Sequence, residues 1–130
     1  MAGDAPAIFR IFAPVGDFDA AKAFYERLFN AAAAVIHHRR MYFYCGPVIF
    51  AVIEKDGPAI GDHVYFAVRD VETVFERARE LGCLETDDVH GSPSGEVHVR
   101  PWGERSFYAR DPWGNGLCFV DERTLFTGER

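Results

Sequence analysis

Hydrophobic residues change their spacing several times along this chain, and each change marks an element. Apolar positions alternate through residues 7–13 (AIFRIFA). They then recur at three and four residues in 20–29 (Ala21, Phe24, Tyr25, Leu28), and run on through Met41 to Ile53 with a Gly46-Pro47 break. A period near two places one face of a strand in the core, and a period near 3.6 does the same for a helix. The pattern predicts a strand at 7–13, a helix at 20–29 and a hairpin at 41–53. Asp17 and Asp19 stand ahead of the helix, where a carboxylate oxygen takes up exposed N–H groups. Four alanines at 31–34 favour helix while Val35-Ile36 favour strand, and a short strand is expected there. Lys55-Asp56-Gly57-Pro58 is dense in breakers, so 55–61 reads as a linker.

The second half repeats the order. His63 to Val68 is a nearly continuous apolar run, and Asp70 is a good cap for a helix over Val71 to Leu81, whose stripe is Val71, Val74, Phe75, Ala78 and Leu81. Gly82 can end that helix in the left-handed conformation. Leu84 to Val89 reads as a short strand and 90–96 as a polar Gly/Ser/Pro loop, either plainly solvent-facing or a lid. Arg105–Arg110 and Asn115–Val120 form a hairpin around Asp111-Pro112-Trp113-Gly114, a sequence with the chemistry of a tight reversal. Setting Asp17 on Asp70 registers the halves at a separation of 53, and Ile49-Phe50-Ala51-Val52 falls on Leu117-Cys118-Phe119-Val120 at 68. The expected architecture is α+β, one domain over 1–130, with a first βαβββ module at 7–54 and a second at 62–122. The modules form a curved mixed sheet with the helices packed outside. A half-sheet with one helix leaves an apolar face for its sister module or a second chain to cover, so a homodimer is expected.

Composition narrows the partners. A net charge of −6 over 130 residues argues against nucleic acid, which needs a basic stripe. The chain has no apolar run of membrane-spanning length, and its start, MAGDAPAIFR, lacks a signal-peptide layout; no membrane partner and a cytoplasmic location are expected. Aromatic residues make up 15%, enough for a core and for faces that stack on a planar ligand. Cys45, Cys83 and Cys118 form no CxxC pair and suit a reducing compartment. His37 and His38 are adjacent and on a strand would face opposite ways, while His90 and His98 have no ligand-spaced partner.

The paired modules, with FYERLF on the first helix, HVYFAVRDVE opening the second unit and WGERSFYARDPWGNGLCFVDE at the end, resemble the vicinal oxygen chelate superfamily. That group includes glyoxalase I, extradiol dioxygenases, fosfomycin-resistance thiol transferases and bleomycin-resistance proteins. The resemblance covers about Ile8 to Glu122, and the DPxGN hairpin is its most specific part. It looks closest to the bleomycin-resistance branch, whose members bind drugs without transforming them. The superfamily's enzymes hold a metal through four residues, commonly His or Glu, from equivalent places in the two units. The resemblance puts these at Arg10, His63 and, at or near them, Phe50 and Cys118. Arginine and phenylalanine give a metal nothing, so a family-type metal centre is disfavoured and no cofactor is expected. Any divalent metal would rest on His63, Cys118 and Glu54. The alternative cleft is floored by Arg10, Phe50, His63 and Cys118, with Tyr42, Tyr44, Trp102 and Phe107 on neighbouring strands. It offers rings, one fixed positive charge and one imidazole. Each has a plainer reading: an Arg10 ion pair, a hydrogen-bonded His63, a Cys118 packed as a small hydrophobe. The expected function is metal-free binding of an aromatic or carboxylated small molecule, an antibiotic or a metabolite, by sequestration. The alternative is a metal-dependent lyase or dioxygenase of the same superfamily, so whether the chain is an enzyme stays open.

Overall fold

The computed structural model describes residues 7–37 and 39–128, so the expectation for His38 lies outside the described residues. Along the chain come β1 (Arg10–Val15), α1 (Phe18–Phe29), β2 (Ala34–Ile36), β3 (Arg40–Cys45), β4 (Val48–Glu54), β5 (His63–Val68) and α2 (Val71–Leu81). The short strands β6 (Asp88–Val89), β7 (Ser92–Pro93) and β8 (His98–Val99) follow, then β9 (Arg105–Arg110), β10 (Gly116–Asp121) and a 3-10 turn at Glu122–Thr124. Two four-stranded sheets result, ordered β1-β4-β3-β2 and β5-β10-β9-β8. Each joins its first and last strands in parallel, β1 with β4 and β5 with β10, and the rest antiparallel. The fold is α+β, built of two βαβββ-like modules with mixed sheets.

The helices begin and end where their side chains dictate. Asp17 accepts from Ala20 N at 2.8 Å and Asp70 from Thr73 N at 3.2 Å, each satisfying one orphan N–H. Glu54, at the end of β4, takes a second for α1 by accepting from Phe18 N at 2.8 Å. Gly82 closes α2 at φ 69°, a conformation that costs glycine no side-chain clash. β1 starts three residues later than its hydrophobic pattern suggests and runs to Val15, because its register is set by β4, which pairs Arg10–Val15 with Ile49–Glu54. In the second module, Leu84 makes only an isolated bridge to Ala109, and β8, not the predicted strand at 84–89, forms the sheet's far edge.

The helices cover one face of each sheet, and the modules meet through those faces in a single core. The Phe29 ring lies 5.2 Å from that of Phe66 and 6.4 Å from that of Phe119, while Phe50 and Phe66 are 5.4 Å apart. Polar bonds fix the same seam. Asp111 is buried, and its Oδ1 accepts from Trp113 N and Asn115 N at 2.9 and 2.8 Å. Its Oδ2 accepts from Asn115 Nδ2 at 2.8 Å and from the hydroxyl of Tyr25 on α1 at 2.6 Å. Asn115 also donates to Pro14 O in β1 at 2.8 Å and accepts from Ile60 N. The DPWGN reversal is therefore a joint between modules as well as a turn. Burial and the Asp111 carboxylate together hold the Tyr25 hydroxyl well above its usual pKa, so it remains a donor.

Candidate functional site

Each sheet keeps a second face, turned away from its helix. Since successive strand residues point to opposite sides, the ladders settle which side chains occupy it. In the first module these are Arg10 and Phe12 of β1, Arg40, Tyr42 and Tyr44 of β3, and Ala51 between them on β4. In the second they are His63 and Tyr65 of β5, Tyr108 and Arg110 of β9, and Cys118 of β10.

Two expected cleft residues lie elsewhere. Phe50 packs on Tyr25 and Phe29 of α1 and is 1% exposed, and Phe107 packs on Phe75 of α2 with no exposure. Both belong to the helix-side core and cannot floor the open face. The cause for Phe50 is a one-residue slip in the internal alignment. Ile49 pairs with Arg10 as Gly116 pairs with His63, so the strand equivalence runs one residue shorter than 68, and Ala51, not Phe50, is the counterpart of Cys118. In a strand such a slip turns every side chain to the other face.

Cys118, expected on the cleft floor, has no exposure and lines neither cavity, being packed with Tyr108 and Val120; the other predicted residues fall into two groups that the chain does not bring together. Arg10 is exposed, its guanidinium carbon 4.8 Å from the Phe9 ring centre, 5.5 Å from that of Phe12 and 5.9 Å from that of Tyr42. Tyr44 stands beside Tyr42, with ring centres 6.5 Å apart, and is largely exposed. On the second module His63, Trp102 and Tyr65 share a cavity of about 350 Å³ with Tyr108, Glu85 and His90; Arg10 does not line it. Glu54 is in neither group, since it is committed to Phe18 N and to an ion pair with Arg39 at 2.8 Å. Trp113 of the final reversal packs so close to the residue after β1 that a Cβ at Gly16 would come within 3.0 Å of its indole nitrogen.

Around that cavity the structure adds residues the sequence did not single out. Glu85 pairs with His63 Nε2 and with Arg110 Nε, the latter at 3.2 Å. The Tyr65 and Tyr108 hydroxyls are 3.4 Å apart, and the His63 ring meets that of Tyr108 edge-on at 4.9 Å. His90, a lone histidine in sequence, lies edge-on to Trp102 at 5.0 Å. Arg100 is 1% exposed and spends all its donors on the rim. Nε and Nη2 hold Ser106, Nη1 holds Ser92 Oγ and Pro93 O, and Nη2 also reaches Ser94 O and Glu96 O. Its cation stacks 5.2 Å from the Tyr108 ring. The 90–96 loop is thus bound down at its centre. Gly95 completes the attachment, because a Cβ there would lie 1.9 Å from Glu85 O. No signal in the sequence marked Arg100, whose value comes from six acceptors that only folding assembles.

The donor set does not fit a metal centre of the kind the resemblance implies. The four equivalent positions are Arg10, Ala51, His63 and Cys118. Two of them have no donor, and the ring nitrogen Nε2 of His63 is already against Glu85. Burial pushes the Cys118 thiol up to about 12, so forming the thiolate a metal needs is unfavourable. Among the described residues no group of three or more His, Cys, Asp or Glu side chains converges as a metal site. Cys45, Cys83 and Cys118 are free thiols. Among the described residues no helix is long and apolar enough to cross a membrane.

Paired βαβββ-like modules of this topology, each with a mixed sheet and one helix, define the fold class. Residues 7–119 match the family described as Glyoxalase/Bleomycin resistance protein/Dioxygenase superfamily, and the chain belongs to it. Among solved structures it is similar to the oxidase ChaP-H1, with 27% identity over 96% of this chain and 100% of that one and a TM-score of 0.73. It is also similar to lactoylglutathione lyase from Agrobacterium tumefaciens, at 23% identity over 92% and 96% with a TM-score of 0.68. A bleomycin-binding protein solved in complex with bleomycin is 20% identical over 90% and 98%, with a TM-score of 0.67. At such identities the last two establish shared fold alone. No curated protein is similar enough to count as a match.

Proposed function

We propose that this chain binds a planar aromatic or carboxylated small molecule in a metal-free cleft, sequestering an antibiotic or a metabolite. The observation that carries the reading is the content of the four ligand positions. An arginine and an alanine stand where a chelating pair would be, with aromatic side chains around them. Two features support a carboxylate on the ligand. Arg10 and Arg40 have no carboxylate partner among the described residues, and the buried Nε of Arg40 has no hydrogen-bond acceptor there. A desolvated N–H without a partner is costly, and a bound anion would relieve it. In this reading the protein acts as a homodimer, with the first module's face on one protomer closing over the second module's face on its partner.

The test uses Trp102 as its own reporter. In a Trp113→Phe background, bleomycin and 2-naphthoate are titrated while indole emission is followed. At least one of them should change the emission saturably, and Arg10→Ala should weaken 2-naphthoate. No saturable change with either ligand would refute the proposal.

One observation favours a second reading, a metal-dependent lyase or dioxygenase of the same superfamily. A carboxylate on a histidine at a family ligand position is the arrangement that orients metal-bound imidazoles. Stoichiometric metal in protein purified without chelator, lost in His63→Ala, would select it.

A further inference from the structure

Between the helix-bearing faces of the two modules lies a second cavity of about 630 Å³, which among the described residues shares Tyr65 alone with the one around His63. Its walls include Phe29, Phe43, Phe66, Phe119 and Val64, and among the described residues a single charged side chain lines it, Arg77 of α2. Volume and lining fall within the range of small-molecule sites, roughly 300–1,000 Å³ of mostly apolar wall with a few polar groups. An apolar wall of this kind offers water few partners. Arg77 is half-buried, and the carboxylates that might neutralise it on its own helix are taken. Glu76 pairs with Arg79 at 2.6 Å, Glu80 with Arg27 at 3.1 Å and Glu72 with Arg105. Among the described residues the Arg77 side chain has neither an ion pair nor a hydrogen-bond partner. An arginine that lines an apolar volume and has no acceptor of its own complements one ligand chemistry.

We infer that the inter-module cavity binds an apolar-bodied monocarboxylate, with the body against the phenylalanine rings and the carboxylate on Arg77. Arginine suits this because its planar fork can offer a carboxylate two parallel N–H donors. Arg77 would then set the sign of the ligand's head group and the rings its apolar character. The site touches the open faces at Tyr44 and Tyr65 but is otherwise walled by helix-side residues, and its ligand need not be theirs.

Cys45 provides the readout. It lines the same cavity and is half-buried, whereas Cys83 and Cys118 are 8% and 0% exposed. Native full-length protein should show one fast-reacting thiol towards Ellman's reagent, absent in Cys45→Ser. Dodecanoate, below its micellar concentration, should slow that reaction saturably, while dodecanol and dodecyltrimethylammonium should be weaker. In Arg77→Gln, which retains a good helix former, the dodecanoate midpoint should rise about tenfold or more, and the dodecanol midpoint should stay put. Equal protection by all three amphiphiles, no protection by dodecanoate, or an unchanged midpoint in Arg77→Gln would overturn the inference. So would protection that appears only with self-association in sedimentation, which would assign the groove to a second copy. Emission from Trp102 should not follow the dodecanoate titration, which separates failure here from failure of the cleft reading.

Discussion

The open face of the first module and that of the second share a strand order and differ in charge. On the first, Arg10 and Arg40 lie over Phe9, Phe12 and Tyr42 with no carboxylate opposite them among the described residues. On the second, Glu85 holds both His63 and Arg110, and Asp87 and Asp88 line the same cavity. The two modules share a backbone frame, while the positions to which the family resemblance assigns metal ligands lie on a cationic aromatic surface in the first and a more acidic one in the second. Such a pair is complementary.

Phe50→Ala should lower stability by about 3–5 kcal/mol in urea unfolding, because it opens a cavity among packed rings, yet leave the folded protein's affinity for an aromatic ligand unchanged. Tyr42→Ala should do the reverse. If Phe50→Ala abolished binding in folded protein, the assignment of faces would be wrong. Next in size is the joint between the modules. Asp111→Ala strands four donors, those of Trp113 N, Asn115 N, Asn115 Nδ2 and Tyr25 Oη, and should cost about 3 kcal/mol by the same measurement. A loss under ~1 kcal/mol would mean the seam holds by ring packing alone.

Arg10→Ala tests the cationic face without touching the core. Thermal stability should move by no more than about 0.5 kcal/mol, since the side chain is exposed, while affinity for an aromatic carboxylate falls about tenfold. A neutral analogue should be indifferent to the change. The smallest effect concerns acid. Arg123 bonds the Asp121 carboxylate and holds its pKa at about 2, below the ordinary aspartate value of about 3.9 expected of the unfolded chain. The group's contribution to stability is therefore complete above about pH 4 and disappears as the pH falls towards 2. Asp121→Asn should flatten that part of the stability–pH curve and leave its shape near neutrality alone; an unaltered acid limb would remove the assignment.

Much of the scaffold is legible in the chain because it is decided locally. The α2 boundaries follow from Asp70, the Val71–Leu81 stripe and Gly82, all within a dozen residues. The final reversal follows from Asp111-Pro112-Trp113-Gly114 in the same way. β4 shows where local signals stop. Ile49-Phe50-Ala51-Val52 is apolar at every position, so a strand is evident but its faces are not, and an alignment wrong by one residue looks as good as the right one. The ladder with β1 decides it, and with it whether Phe50 or Ala51 meets a ligand. Arg100 and Glu85 depend even more on folding, since their partners come from segments that approach only when β9 and the 92–96 loop close together.

By itself, then, the sequence determined the two helices, their caps, the terminal hairpin and the doubled order of elements, because spacing and turn chemistry act over a few residues. The tertiary structure decided register, and through register which side chains leave the core, because strand pairing is settled by contacts between residues far apart in the chain. It also decided that Arg10 and His63 stand on separate faces of one chain, a relation that no short-range pattern encodes.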